Sequence, residues 1–287
     1  MKEGFPLLAT SPFMGIRCDG PPQAQIVGFP YEATSSFRSG SRFAPNAIRK
    51  YADSLETYSP YRQRDLADIA LADLGNLNFE DTLYVLIPNH LDELRLWCAK
   101  IRSRAFTLFL GGEHTSSLAF ISEEDAADPG FLILVLDAHL DLRDTYQGTP
   151  YSHASWLRRA LERLGPERVI LAGARSGTQE EFRLAREVGI LAPRPRAILS
   201  LLEERRPRRI HLSIDIDVLD PSVAPGTGNP EPMGWQVADV MELLEYLTAW
   251  NVISADLVEY SPPYDPSGKT GIVAAFLARE LLLAFAG

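Results

Sequence analysis

The chain has only two cysteines, Cys18 and Cys98, among 287 residues. Two are too few for a disulfide scaffold, and no CxxC spacing offers a thiolate metal site. A reduced, cytoplasmic protein is therefore expected. Long apolar runs are also missing. No segment approaches the ~18 uninterrupted apolar residues of a membrane span. The opening MKEGFPLLATSPFMG is broken by Pro6 and Pro12 and suits neither a signal peptide nor an anchor. An excess of positive charge is absent too: 28 basic against 38 acidic residues leave a net charge of −10. That argues against nucleic-acid binding by phosphate neutralisation. It suits a cationic substrate or a cluster of bound metal cations.

What is present is globular. Hydrophobic residues make up 46 % and charged residues 23 %, and a chain of this length buries about three quarters of its unfolded surface. This excludes disorder as the main description. No repeat, linker or composition break divides the chain. One domain over residues 1–287 is expected, with 1–20 an extension of uncertain structure.

Short apolar runs alternate with amphipathic stretches. Strands are predicted at Ala24–Phe29, Ile69–Leu74, Phe106–Leu110, Phe131–Leu136, Arg168–Ala172, Arg209–Ile216 and Val252–Leu257. Several are continuously apolar, as in a parallel sheet buried on both faces. Helices are predicted at Pro45–Ser54, Leu91–Arg104, Ser155–Leu164, Thr178–Val188, Trp235–Ala249 and Thr270–Phe285. The βαβα order argues one mainly parallel sheet with helices on both faces.

In such sheets ligands bind beyond the carboxyl ends of the strands. Four clusters fall there. FTLFL runs into Gly111-Gly112-Glu113-His114, and FLILVL into Asp137-Ala138-His139-Leu140-Asp141. RIHLSI runs into Asp215-Ile216-Asp217, and VISADL is followed by Val258-Glu259-Tyr260. Spacings of two within Asp137, His139 and Asp141, and within Asp215 and Asp217, point each set to one side of an extended strand. Acids and imidazoles gathered at one spot require a cation. A donor set of oxygen and nitrogen without thiolate favours Mn²⁺ or a similar divalent ion, and the number of donors fits two ions roughly 3.5–4 Å apart. On an extended strand Asp137 and Asp141 would stand about 13 Å apart, so the chain must bend back near His139. Asp220-Pro221 reads as a turn, and His90, Glu93 and Cys98 as parts of an ordinary helical region.

GGEH, DAHLD and SIDIDVLDPSVAPGTGNPEPMG resemble, in order, the signatures of the ureohydrolase family, which includes arginase and agmatinase. FRSGSRFAPNAIR at Phe37–Arg49 and LVEYSPPYD at Leu257–Asp265 extend the resemblance over most of the chain. It implies a three-layer α/β/α fold with a dinuclear manganese site. By motif position, His114 and Asp141 would bind one Mn²⁺, His139 and Asp217 the other, and Asp137 and Asp215 would bridge both. Four aspartates contribute −4 and two Mn²⁺ +4, which balances the protein part of the site.

The resemblance also implies a mechanism. The metals would supply hydroxide near neutral pH, Asp141 would accept a hydrogen bond from it, and Glu259 would anchor the guanidinium through a charge-assisted pair. His153, in the loop Tyr146–His153, would bind substrate and shuttle the proton that the leaving amine needs. Its alternative reading is a loop histidine capping the following helix. Glu113 stands where many members have aspartate and is expected to tune His114. Asn229 stands where threonine is frequent.

The substrate would be read by the loops Arg143–Ser155, Thr178–Glu181 and Gly226–Met233. No arginase-like asparagine-rich loop follows DAHLD, and DAHLDLRD with a following SHA is similar to agmatinase-type members. Agmatine, giving urea and putrescine, is the expected substrate. Aminopropylagmatine, arginine and guanidino acids are alternatives, as are a non-catalytic relative and a phosphoesterase. The family implies a homo-oligomer, trimeric or hexameric.

Overall fold

A computed structural model describes residues 6–18, 20–79, 88–102 and 105–287. The remainder of the extension, and the last two residues of the helix expected at 91–104, lie outside the described residues. The strands are β1 (Leu7–Leu8), β2 (Ala24–Phe29), β3 (Leu71–Leu77), β4 (Phe106–Gly111), β5 (Phe131–Leu136), β6 (Val169–Ala172), β7 (Leu191–Ala192), β8 (Arg209–Asp215) and β9 (Val252–Val258). They form one nine-stranded sheet in the order β1-β3-β2-β4-β9-β8-β5-β6-β7. All neighbouring pairs are parallel except the edge pair β1–β3.

Helices α1 (Ala44–Ala52), α2 (Pro88–Arg102), α3 (Glu123–Ala127), α4 (Trp156–Leu164), α5 (Gln179–Glu187), α6 (Pro195–Arg205), α7 (Val237–Leu247) and α8 (Lys269–Phe285) flank it. Alternating strand residues feed two cores. Leu108, Leu110, Leu134 and Ile214 pack with α1, α6, α7 and α8 on one face. Phe109, Ile133 and Val135 pack with α2, α4 and α5 on the other. This is the expected three-layer α/β/α arrangement, and period-two alternation of apolar side chains produces it directly.

Local signals explain the helix ends. Pro45 occupies the first turn of α1, where its missing N–H costs nothing. Thr178 and Glu181 form a reciprocal capping box on α5, satisfying two orphan N–H groups. The elements not foreseen are short or punctuated. They are β1, β7, α3, a hairpin pairing Tyr58–Ser59 with Arg64–Asp65, and α6, which begins at Pro195 in a Pro-Arg-Pro run. Among the described residues no helix is long and apolar enough to cross a membrane.

The sheet order has one consequence for function. Strands β4, β9, β8 and β5 are adjacent, and all four are parallel. Their carboxyl ends therefore bring the four clusters named above to one stretch of the rim.

Candidate metal centre

Strand β5 stops at Leu136, so Asp137, His139 and Asp141 converge through a turn and not by strand alternation. The chain bends back at Asp141, whose φ is +50°, a left-handed conformation uncommon outside glycine. Main-chain groups fix the turn: Asp137 Oδ1 accepts from His139 N at 2.6 Å. Ala138 N donates to Asp217 Oδ1 at 3.0 Å, tying the turn to the next cluster. Asp215 ends β8, and Asp217 lies in the 3₁₀ turn Ile216–Val218, where its N–H donates to Asp215 Oδ1 at 2.8 Å.

The donors form two linked groups. His114 Nδ1 lies 3.0 Å from Asp137 Oδ2, 3.2 Å from Asp215 Oδ2 and 3.8 Å from Asp141 Oδ2. His139 Nδ1 lies 2.9 Å from Asp217 Oδ2 and 3.6 Å from Asp137 Oδ1. Asp137 thus turns one oxygen to each imidazole. His114–Asp137–Asp141 and Asp137–His139–Asp217 each bring their donor atoms close enough to hold one ion.

Three observations test whether a cation fits. His114 Nδ1 and Asp137 Oδ2 are fully buried with no hydrogen-bond partner, a costly state unless something else satisfies them. Ser213 Oγ donates to Asp256 Oδ1 at 2.7 Å and sits 2.9 Å from His114 Nε2. Its proton is committed, so Nε2 must donate, and Nδ1 is the ring nitrogen left to face the carboxylates or, once it has lost its proton, a cation.

The third observation is electrostatic. Burial pushes Asp141 and Asp215 upward, reinforced by Asp137 beside Asp141 and by Asp217 and Asp137 beside Asp215. Burial disfavours charge on His114, yet Asp137 and Asp215 outweigh it and hold that imidazole well above its usual range. Protons on the histidines stand in for the positive charge the carboxylates call for. Ser213→Ala should weaken divalent-ion affinity by about 10- to 100-fold and also lower the thermal midpoint of the metal-free protein, because buried Asp256 Oδ1 loses its donor. Titration with Mn²⁺ against a competing chelator checks this.

Glu259 follows β9 and has φ +62°. Its N–H donates to Gly112 O at 2.9 Å, and its Oε1 accepts from His114 N at 2.7 Å. Gly112 is required there, since a Cβ would lie 2.0 Å from Tyr31 O. Burial, then the neighbouring charge of Glu113, pushes the Glu259 carboxyl up to about 8. A guanidinium beside it would draw it back toward the ionised form.

His153 is buried, not a surface cap. Its Nδ1 lies 3.1 Å from Thr34 Oγ1 and its Nε2 3.1 Å from Ser36 Oγ. Burial, then the positive His139, lowers it to about 4.

The expectation for Glu113 is overturned. Its carboxylate does not reach the His114 ring. It turns to the loop at Tyr31–Thr34, where Oε2 accepts from Ala33 N at 2.7 Å and Thr34 N at 2.6 Å, and Oε1 accepts from Thr34 Oγ1 at 2.7 Å. Glu113 precedes the 3₁₀ turn that begins at His114, so the two side chains leave the backbone in different directions, and adjacency in sequence carried the wrong inference.

A cleft of about 260 Å³ opens over this floor, bounded by His139, Asp141, His153, Asp215, Asp217 and Glu259, with Arg143, Tyr146, Glu181 and Asn229 in its walls. Arg143 is the sole Lys or Arg among the lining residues. It lies 3.8 Å from Glu181 and stacks 5.0 Å from the Tyr146 ring centroid, while Asp144 is taken by Arg159.

Sequence reasoning missed Trp156, which stacks on His114 at 4.2 Å and donates from Nε1 to Asp141 Oδ2 at 2.9 Å. It also missed Thr34 and Ser36. Ser213 was within reach, being two residues before Asp215 on one strand face.

A buried carboxylate–imidazole cluster at the carboxyl rim of a parallel α/β sheet, beside an acidic cleft, has the donor set of a metal-dependent hydrolase. The Arginase family model matches residues 22–284, and the chain belongs to that family. It is 38 % identical over 271 residues to the agmatinase of Halalkalibacterium halodurans, covering 91 % of each chain. It is 35 % identical over 267 residues to the N(1)-aminopropylagmatine ureohydrolase of Thermococcus kodakarensis, covering 90 % of this chain and 87 % of that one. The crystal structure of the agmatine ureohydrolase of Thermoplasma volcanium superposes with a TM-score of 0.81 at 32 % identity, covering 92 % of this chain and 90 % of that chain. The protein is a ureohydrolase, releasing urea and an amine from a guanidino compound.

Proposed function

We propose that this ureohydrolase acts on agmatine, with two Mn²⁺ held by His114, Asp137, His139, Asp141, Asp215 and Asp217. The observation that carries the metal assignment is Asp137, which presents one oxygen to each of two imidazoles. When bound, such a pair supplies hydroxide near neutral pH. Asp141 would accept a hydrogen bond from that nucleophile. Glu259, fixed by His114 N and Gly112 O, holds the guanidinium plane through a charge-assisted pair. His153, on the cleft wall, binds substrate and returns a proton to the departing amine.

The cleft supports a substrate tail that ends in an amine. Arginine and guanidino acids present a carboxylate, which needs a free cation. Arg143 lies 3.8 Å from Glu181 and stacks on Tyr146, so a tail carboxylate would compete with Glu181 for it. Urea release from agmatine, aminopropylagmatine, arginine and guanidinobutyrate with added Mn²⁺ tests the reading. Agmatine is expected to give the highest kcat/KM. A preference for either carboxylate-bearing substrate would overturn the tail assignment, and turnover of phosphate esters alone would overturn the chemistry. His153→Asn should lower kcat by about 100-fold with KM changed by less than about threefold, and a change confined to KM would reject the proton role. A homo-oligomeric assembly in the cytoplasm is proposed on family resemblance, and sedimentation tests the assembly.

A further inference from the structure

Three residues from separate segments, Glu113 after β4, Thr34 after β2 and His153 on the cleft wall, form one hydrogen-bonded chain. Glu113 is fully buried and accepts three short hydrogen bonds, two of them from the backbone of Ala33 and Thr34. The third comes from Thr34 Oγ1 at 2.7 Å. The same hydroxyl oxygen receives His153 N–H at 2.9 Å and faces His153 Nδ1 at 3.1 Å.

A hydroxyl has one proton and two lone pairs. Burial raises the Glu113 carboxyl, while two backbone N–H groups and a hydroxyl donate to it and favour its carboxylate form. The Thr34 proton then goes to Oε1, because a carboxylate only accepts. One lone pair is taken by His153 N–H. The remaining one can meet Nδ1 only if Nδ1 carries a hydrogen. The neutral ring is thereby fixed with Nδ1–H, and Nε2 keeps its lone pair toward Ser36 Oγ and the cleft.

We infer that Glu113 and Thr34 are positioning residues: through the Thr34 hydroxyl, Glu113 sets the tautomer of His153 and presents Nε2 to the cleft as the atom that takes up and delivers the proton. The inference rests on the reading of His153 as the proton carrier. It adds a residue pair 40 and 119 positions away in sequence from the group they orient. Nδ1–H against the Thr34 oxygen also places the Glu113 charge behind the imidazolium formed when Nε2 is protonated. This arrangement works like a carboxylate behind a histidine, with a hydroxyl between.

Two substitutions act on this chain in different ways. Glu113→Gln is nearly isosteric. Its amide oxygen can accept from Ala33 N and Thr34 N, but its amide nitrogen then donates to Thr34 Oγ1. The hydroxyl proton must turn to His153, so Nδ1 becomes the acceptor and the ring hydrogen moves to Nε2. Thr34→Val keeps the shape and deletes the hydroxyl, and Thr34→Ser restores it.

The readout is the tautomer itself, from long-range ¹H–¹⁵N correlations of histidine-labelled protein loaded with diamagnetic Zn²⁺. Only five histidines contribute. His153 is expected as Nδ1–H in the wild type and as Nε2–H in Glu113→Gln. Nε2–H in the wild type, or Nδ1–H in both, would overturn the inference. With Mn²⁺, both Glu113→Gln and Thr34→Val are expected to lose about 10- to 100-fold in kcat, with KM changed by less than about threefold. Thr34→Ser is expected to stay within about threefold of wild type in kcat. Wild-type kcat in Thr34→Val, or a loss in Thr34→Ser equal to that in Thr34→Val, would also overturn it. An unchanged kcat in His153→Asn would instead sink the proton-carrier reading, while the tautomer measurement would still decide the Glu113–Thr34 relation.

Discussion

Asp215→Ala is expected to abolish urea release, by about a thousandfold or more, and to lower the divalent-ion content of the purified protein. Asp215 Oδ2 faces the orphaned Nδ1 of His114 at 3.2 Å, while Oδ1 receives Asp217 N at 2.8 Å. The substitution therefore removes a donor and releases the 3₁₀ turn that aims Asp217 at His139. A thousandfold corresponds to about 4 kcal/mol of lost transition-state stabilisation, a modest value for losing a ligand proposed to bridge two cations. The effect on folding has the opposite sign. Burial and the neighbouring Asp217 and Asp137 charges push Asp215 well above the usual carboxylate range, so the ionised group destabilises the metal-free fold. The thermal midpoint of the metal-free variant should be no lower than that of the wild type, as is common where an active site stores unfavourable charge. Full metal content together with retained turnover would remove Asp215 from the centre.

Much of this arrangement was legible in the sequence because a parallel sheet writes its binding rim into the chain. Each continuously apolar run stops where the polar cluster starts, and β4, β5, β8 and β9 all match their expected ranges to within one residue. Sheet order was not legible. β5 follows β4 among the predicted strands, yet β9 and β8 lie between them in the sheet. Only that insertion brings Glu259 and Asp215 between His114 and Asp137. No local pattern encodes such neighbours, because they come from crossovers that return to the middle of the sheet.

The same limit explains the contacts that were missed. Thr34 meets Glu113 and His153 across 79 and 119 residues, and Trp156 carried only the signal of a helix start. The bend expected near His139 was legible from reach alone, but its location was not. It falls at Asp141, in a left-handed conformation that glycine, asparagine and aspartate adopt most readily.

Glu259→Gln should leave metal content unchanged and lower kcat/KM for agmatine by roughly 30- to 3,000-fold. The isosteric amide oxygen can still accept from His114 N, so the 2.7 Å anchor and the left-handed backbone at φ +62° are preserved. What disappears is the negative charge. A buried charge pair that loses one partner costs about 2–5 kcal/mol in binding, and each 1.4 kcal/mol is tenfold, which sets the range. Glutamine also turns an N–H donor toward a guanidinium that offers donors alone, so the contact becomes repulsive and not merely weaker. Burial and Glu113 raise Glu259 to about 8 in the metal-free protein, so near neutral pH it is mostly protonated there. Guanidinium binding must then drive a proton off it. Agmatine binding to the metal-free wild type should release protons into the buffer, seen as a heat that scales with buffer ionisation enthalpy, and Glu259→Gln should lose that component. Unchanged kcat/KM, or an undiminished proton release in the variant, would show that another group holds the guanidinium.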